Sequence, residues 1–230
     1  MKRFFEQVSV EKEDGGWTIR LDARPVRTPA HLRLAVPTAA LADAIADEWR
    51  AVGEKIEPRA MPLTGLANAA IDRIAPQREE FARGLAKYAE ADLACYRADG
   101  PRELVALQEE EWDRLLAFAR RRYDVDFATT SGLMHVSQPA ATVERLSHAV
   151  AALDAFRLAG LSPLVMIGGS LVAALAVMEE AVTPEAAWNA VSLDERWQLE
   201  QWGADMDAEA ALQNRARDFF AAARFLTFLD

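Results

Sequence analysis

Glu195 and Glu200 sit in a stretch that also holds Trp188, Trp197 and Trp202. Two carboxylates beside aromatic bulk can act as a general acid and base where burial drives their pKa values apart. The same residues can instead form a recognition surface. Tryptophan is concentrated among binding hot spots, and carboxylates complement basic partners. Residues 179–210 hold nine acidic side chains and one basic one, Arg196, a balance of −8 within a chain total of −10. Wound as a helix at about 100° per residue, this region sets Leu193, Trp197 and Glu200 on one face. Glu195, Leu199 and Trp202 fall nearly opposite. Arg196 and Glu200 are then an i,i+4 pair in the less favourable order. Two readings follow: a helix buried between two layers, or one with one face packed inward and the other turned to a partner.

Other chemistry is scarce. No G-x-x-x-x-G-K-[ST] phosphate loop occurs, and no G-x-G-x-x-G follows a strand pattern. Gly168-Gly169-Ser170 falls inside a helical pattern and reads as close packing or a kink. Neither H-E-x-x-H nor E-x-x-H is present, and His31, His135 and His148 are far apart. They read as structural or exposed residues. Cys95, in the apolar run Leu93-Ala94-Cys95-Tyr96, is the one cysteine. It excludes an internal disulfide and a cysteine-based zinc site and reads as a buried, inert thiol. Glu79-Glu80 and Glu109-Glu110-Glu111 read as solvated helix faces. The expectation is a protein with no catalytic residue, metal or cofactor.

The chain has 230 residues, 51% hydrophobic and 27% charged. That suffices for one sizeable core or two unequal ones and excludes general disorder. An acidic balance does not suit nucleic acid or anionic lipid. Residues 161–178 carry no charge, which is the lower length limit for a membrane span. Gly168, Gly169, Ser162, Pro163, Ser170 and several alanines favour a buried helix instead. The start, Met1-Lys2-Arg3-Phe4-Phe5-Glu6, has neither a signal-peptide nor a transit-peptide pattern. The expectation is a protein that works where it is made.

The elements that must carry these residues divide near Pro76. Residues 3–10 and 17–21 alternate in hydrophobicity around Asp14-Gly15-Gly16, a β-hairpin signal. Residues 26–28 and 32–36 predict two more strands, completing a small antiparallel meander. Pro37-Thr38 caps a first helix whose stripe of Leu41, Ile45, Trp49 and Val52 can cover the sheet. Trp49 on that stripe reads as structural. Thr64 is the expected cap of a second helix, and Pro76 opens a third running toward Arg97. The expected division is 1–74, β-rich with covering helices, and 75–230, all helical. In the second part, Pro101 opens a helix through Leu104, Leu107, Trp112, Leu115 and Phe118. Another follows Pro139 to about Gly160. Ser162-Pro163 and Thr183-Pro184 read as an N-cap followed by a proline at the first helical position. Residues 193–202 and 207–229 complete the set. The fold class is α+β.

Eight blocks in order give the chain a resemblance. They are Arg3-Phe4-Phe5; 21–29 (Leu-Asp-Ala-Arg-Pro-Val-Arg-Thr-Pro); Ala46-Asp47-Glu48-Trp49; Met61-Pro62-Leu63-Thr64 with Ala70-Ile71-Asp72; Asp92 to Arg97; Gln138-Pro139; 169–176; and 193–203 (Leu-Asp-Glu-Arg-Trp-Gln-Leu-Glu-Gln-Trp-Gly). The chain resembles the ATP synthase assembly chaperones of mitochondria and alphaproteobacteria that act on the alpha subunit of the catalytic head, also called assembly factor two. The resemblance implies a small N-terminal antiparallel β-rich domain and a larger C-terminal orthogonal helical bundle. It implies a non-enzymatic chaperone, monomeric when free, that binds the alpha subunit and is released by exchange with the beta subunit. It places the protein in the bacterial cytoplasm, or in the mitochondrial matrix for a mature eukaryotic form. The family's sensitive block maps onto Glu195, Trp197, Gln198, Glu200, Trp202 and Gly203, with Trp49 a further matched position. The alternatives are an enzyme centred on Glu195 and Glu200, and a structural subunit of a larger complex.

Overall fold

The computed structural model describes residues 2–132, 134–203 and 205–230, and for Trp202 the backbone alone. The chain falls into two compact units. One comprises Met1–Arg78, Asp154–Gly160 and Arg224–Asp230; the other comprises Glu79–Leu153 and Leu161–Ala223.

The first unit begins with the hairpin that the alternation predicts. Strands β1 (Val8–Glu13) and β2 (Gly16–Leu21) pair antiparallel, with Val8 opposite Leu21 and Glu13 opposite Gly16. Gly15 and Gly16 turn the chain with φ of 99° and 137°, and a Cβ on Gly16 would lie 2.6 Å from the Val36 carbonyl oxygen. Only glycine fits there. Strand β3 (Arg24–Pro25) pairs with the end of β2, and β4 (Ala35–Val36) pairs with its start. Both short strands therefore lie along β2, not in the simple meander expected. Helix α1 (Ala39–Arg50) is capped by Thr38, whose Oγ1 accepts from the Leu41 amide at 3.2 Å. Its stripe of Leu41, Ile45 and Trp49 is buried with Ile19 and Leu34 of the sheet region.

Helix α2 (Pro62–Ala69) begins two residues before Thr64, the expected cap. Its first turn is held from α1. The Glu48 carboxylate accepts from the amides of Leu63 (2.7 Å) and Thr64 (2.8 Å) and from the Thr64 hydroxyl (2.7 Å). Orphan donors at a helix start need such a partner. Pro76 does not interrupt the backbone. A π turn (Ala70–Ile74) and a 3₁₀ turn (Ala75–Gln77) change the winding around it, and α3 (Arg78–Ala86) continues. The helix expected toward Arg97 stops at a 3₁₀ turn, Lys87–Glu90.

In the second unit, strand β5 (Tyr96–Arg97) pairs parallel with β6 (Thr130–Ser131). Helix α4 (Arg102–Tyr123) runs between them in sequence, and α5 (Ala140–Ala151) follows Pro139. Helix α6 (Ala155–Gly168) corrects two expectations. Pro163 lies inside it rather than at its start, and its first amides are received by Asp154, whose Oδ1 accepts from Phe156 at 2.8 Å and Arg157 at 3.0 Å. The uncharged stretch is also split. Gly169, with φ of 66°, ends α6, and α7 (Leu171–Met178) starts afresh with Ser170 as cap. Among the described residues no helix is long and apolar enough to cross a membrane.

The start of α7 rests on a buried carboxylate. Asp92 accepts from the Ser170 hydroxyl (2.7 Å), the Val172 amide (2.9 Å) and the Ala94 amide (3.0 Å). Helices α8 (Pro184–Val191), α9 (Leu193–Trp202) and α10 (Met206–Thr227) complete the chain. Thr183 caps α8 as expected, its Oγ1 accepting from Ala186 at 3.2 Å.

Candidate functional site

Helix α9 carries Glu195, Trp197, Glu200 and Trp202, and a network of contacts from α4 reaches both it and the end of α8. The Trp112 indole of α4 donates to the Ala190 carbonyl at 2.8 Å. Gln108 of α4 donates through Nε2 to the Asp194 carboxylate at 2.7 Å, while its Oε1 accepts from the Ala98 amide at 2.7 Å. Arg97, almost wholly buried, donates to the Gln108 carbonyl at 3.1 Å and packs its guanidinium over the Trp112 ring, 5.0 Å from the centroid. These buried polar groups are satisfied, and a satisfied network rigidifies what it joins.

Helix α9 then has two differently occupied faces, as the helical spacing requires. Leu193, Trp197 and Glu200 line a cavity of about 280 Å³ together with Leu107 and Glu111 of α4. Leu193 is buried, Trp197 half-buried and Glu200 exposed. On the other face Glu195 is ion-paired with Arg215 of α10. The expected Arg196–Glu200 pair is not among the contacts of either residue. Arg196 turns back and donates to the Asn189 carbonyl at 2.7 Å and the Ser192 hydroxyl at 3.2 Å. Glu200 has no ion pair among the described residues.

The remaining sequence candidates divide. Gln198 is exposed, and Gly203 ends the helix with φ of 90°, a conformation open to glycine. Trp202 closes α9, but its side chain lies outside the described residues. Trp188 is not on the surface. It is buried against Phe219 and Phe220 of α10, with ring centroids 5.4 Å and 6.3 Å away. Trp49 is remote from this helix in chain and belongs to the first unit, where it is buried edge-on to Phe5 at 5.7 Å.

Leu107 and Glu111 escaped the sequence reading. Leu107 lies on α4 between Leu104 and Leu115, and it is 42% exposed while those two are buried. The signal available was weak: Glu110 and Glu111, about one turn after Leu107, share its side of the helix.

Burial and the nearby Asp92 carboxylate push the Cys95 thiol up to about 12, far from a reactive thiolate. Among the described residues no three His, Cys, Asp or Glu side chains converge as a metal site.

Comparison with known proteins agrees with this picture. The model of the ATP12 chaperone protein family matches residues 2–120, just over half of the chain. The chain is similar to the mitochondrial protein atp12 of Schizosaccharomyces pombe, 24% identical over 219 residues, covering 90% of this chain and 75% of that one. Its fold is similar to the crystal structure of Atp12 from Paracoccus denitrificans, with a TM-score of 0.96, 41% identity, and 100% of this chain and 98% of that chain covered. It is also similar to the Atu1473 protein of Agrobacterium tumefaciens, with a TM-score of 0.95, 38% identity and coverage of 100% and 86%. An antiparallel sheet followed by a predominantly helical region, shared over its whole length with these bacterial proteins, marks the chain as a member of the ATP12 chaperone family, the non-enzymatic factors of ATP synthase assembly.

Proposed function

We propose that this protein holds the free alpha subunit of the ATP synthase catalytic head and is displaced when the beta subunit binds in its place. A free ring subunit exposes surfaces made for its neighbours, and covering one of them keeps it from aggregating. Release then needs no nucleotide hydrolysis, because the native neighbour binds better and mass action does the rest.

The observation that carries this reading is the divided use of α9. Its Glu195 is engaged within the chain by Arg215, whereas Glu200 stands exposed beside a half-buried tryptophan, with no basic partner among the described residues. A carboxylate and an indole left at an open cavity are the ingredients of a binding hot spot. The client-facing set is then Glu200, Trp197 and Gln198, with Gly203 ending the helix that presents them. Glu195 takes a supporting role, and Trp202 is assigned with the block by family resemblance.

The test is co-purification with isolated alpha subunit, with and without beta. A soluble complex that dissolves on addition of beta supports the reading. A complex that persists in the finished catalytic head would make the protein a structural subunit. No complex with assembly-competent alpha would remove the reading.

A further inference from the structure

We propose that the cavity between α4 and α9 receives one large apolar side chain of the client flanked by a lysine or arginine. This deepens, and rests on, the reading of the protein as a holder of free alpha subunit. The floor of the cavity is apolar and open: Leu107 is 42% exposed, and Leu193 and Trp197 line the same space. Its volume of about 280 Å³ is room for a large aliphatic or aromatic side chain, not for a folded element. The walls are set before anything binds. Gln108 ties α4 to Asp194 of α9 at 2.7 Å, and Trp112 ties α4 to Ala190 at 2.8 Å. A cavity already held open loses little freedom on binding.

The charges around the floor select the occupant. Glu111 on α4 and Glu200 on α9 both border the cavity, and neither has an ion pair among the described residues. Arg196, the basic residue of the lining, is committed to the Asn189 carbonyl and the Ser192 hydroxyl. The guanidinium keeps its charge in those bonds, so an incoming segment meets an apolar seat whose lining sets two carboxylates against one guanidinium, a net negative balance. A basic residue beside the inserted side chain is attracted, and an acidic one is repelled, which is how a site of this kind discriminates.

The experiment has two arms. In the first, purified alpha subunit is titrated against the full-length protein and its Leu107→Arg, Leu107→Ala and Glu111→Lys variants, with Glu185→Lys as a charge reversal in the same acidic stretch but outside the cavity. Circular dichroism melts check folding; because Leu107 is exposed, its replacement should leave the fold intact. The expected result is at least about tenfold weaker binding for Leu107→Arg, roughly three- to tenfold for Glu111→Lys, and little change for Glu185→Lys. Unchanged binding in Leu107→Arg and Glu111→Lys overturns the proposal while leaving the client reading in place. In the second arm, two synthetic peptides of equal length carry leucine beside arginines or leucine beside glutamates. Should the wild-type protein fail to bind alpha, the client reading falls and the peptides decide the cavity. Binding of the basic peptide alone, lost in Leu107→Arg, sustains it. Equal binding of both peptides, or of neither, overturns it.

Discussion

Arg215 of α10 closes an ion pair with Glu195, and the second glutamate of the same helix, Glu200, is left to solvent on the far side. Two residues alike in type and near in sequence thus have different environments. We expect Glu200→Lys to weaken binding of alpha subunit about tenfold, within the range of charge pairs at an interface. Glu195→Gln should change stability by less than about 1 kcal/mol, since the pair it breaks is half-exposed. Titration calorimetry on both variants checks this; a larger binding loss in Glu195→Gln would reverse the assignment.

Trp49 provides a separate test, of structure alone. Its ring is buried edge-on to Phe5, and its indole nitrogen is buried with no hydrogen-bond partner among the described residues. Trp49→Phe then removes volume but no hydrogen bond and should cost less than about 2 kcal/mol. Trp49→Ala opens a cavity and should cost about 3–5 kcal/mol. Denaturant melts measure both. Client binding by folded Trp49→Phe should match wild type; a selective loss of binding would give Trp49 a direct role.

Acid stability should depend on Asp154. Burial raises its carboxyl, but the amides of Arg157 and Phe156 and the Arg157 guanidinium outweigh this and hold it below the usual aspartate value of 3.8. A carboxyl lowered by folding stabilises the native state above its unfolded pKa, and that contribution fades as pH falls through the native one. Asp154→Ala should therefore cost about 1 kcal/mol near neutrality, the usual worth of a helix cap. The gap between variant and wild type should shrink in acid. Urea melts at successive pH values follow it, and a gap that stays constant would remove the electrostatic part of the account.

Cys95 should be silent until the protein opens. Its thiol is buried and raised to about 12, so the reactive thiolate is scarce near neutral pH. Thiol reagents should modify the native protein no faster than it unfolds, and denaturant should abolish the protection. Rapid stoichiometric labelling of the folded chain would contradict the packing around residues 93–97.

How far these features could be read in the sequence depends on how local their causes are. Thr38 and Thr183 cap their helices where the pattern puts them, because a hydroxyl three residues before an amide is a contact within one turn. The faces of α9 were also legible, since helical geometry alone separates Glu195 from Glu200. Ser162-Pro163 misled although Thr183-Pro184, the same local signal, did not. Both are sound local signals, but Asp154 starts a helix earlier in the chain, and the burial of Leu158, Leu161, Leu164 and Val165 carries it through the proline. Glu48 as the partner of the α2 amides was invisible, because it acts across 15 or 16 positions. The exposure of Leu107 is not legible in the sequence, because a periodic stripe says which side chains share a face, not where the covering neighbour ends.

The split at Gly169 decides how long a helix the uncharged stretch can make. An unbroken helix over the uncharged stretch would approach the ~30 Å thickness of a bilayer's hydrocarbon core. The two helices formed instead, of 14 and 8 residues, measure only about 21 Å and 12 Å at the usual rise per residue. A left-handed glycine between them, with Asp92 receiving the start of the second, keeps each helix well short of that thickness and turns the oiliest part of the chain into core.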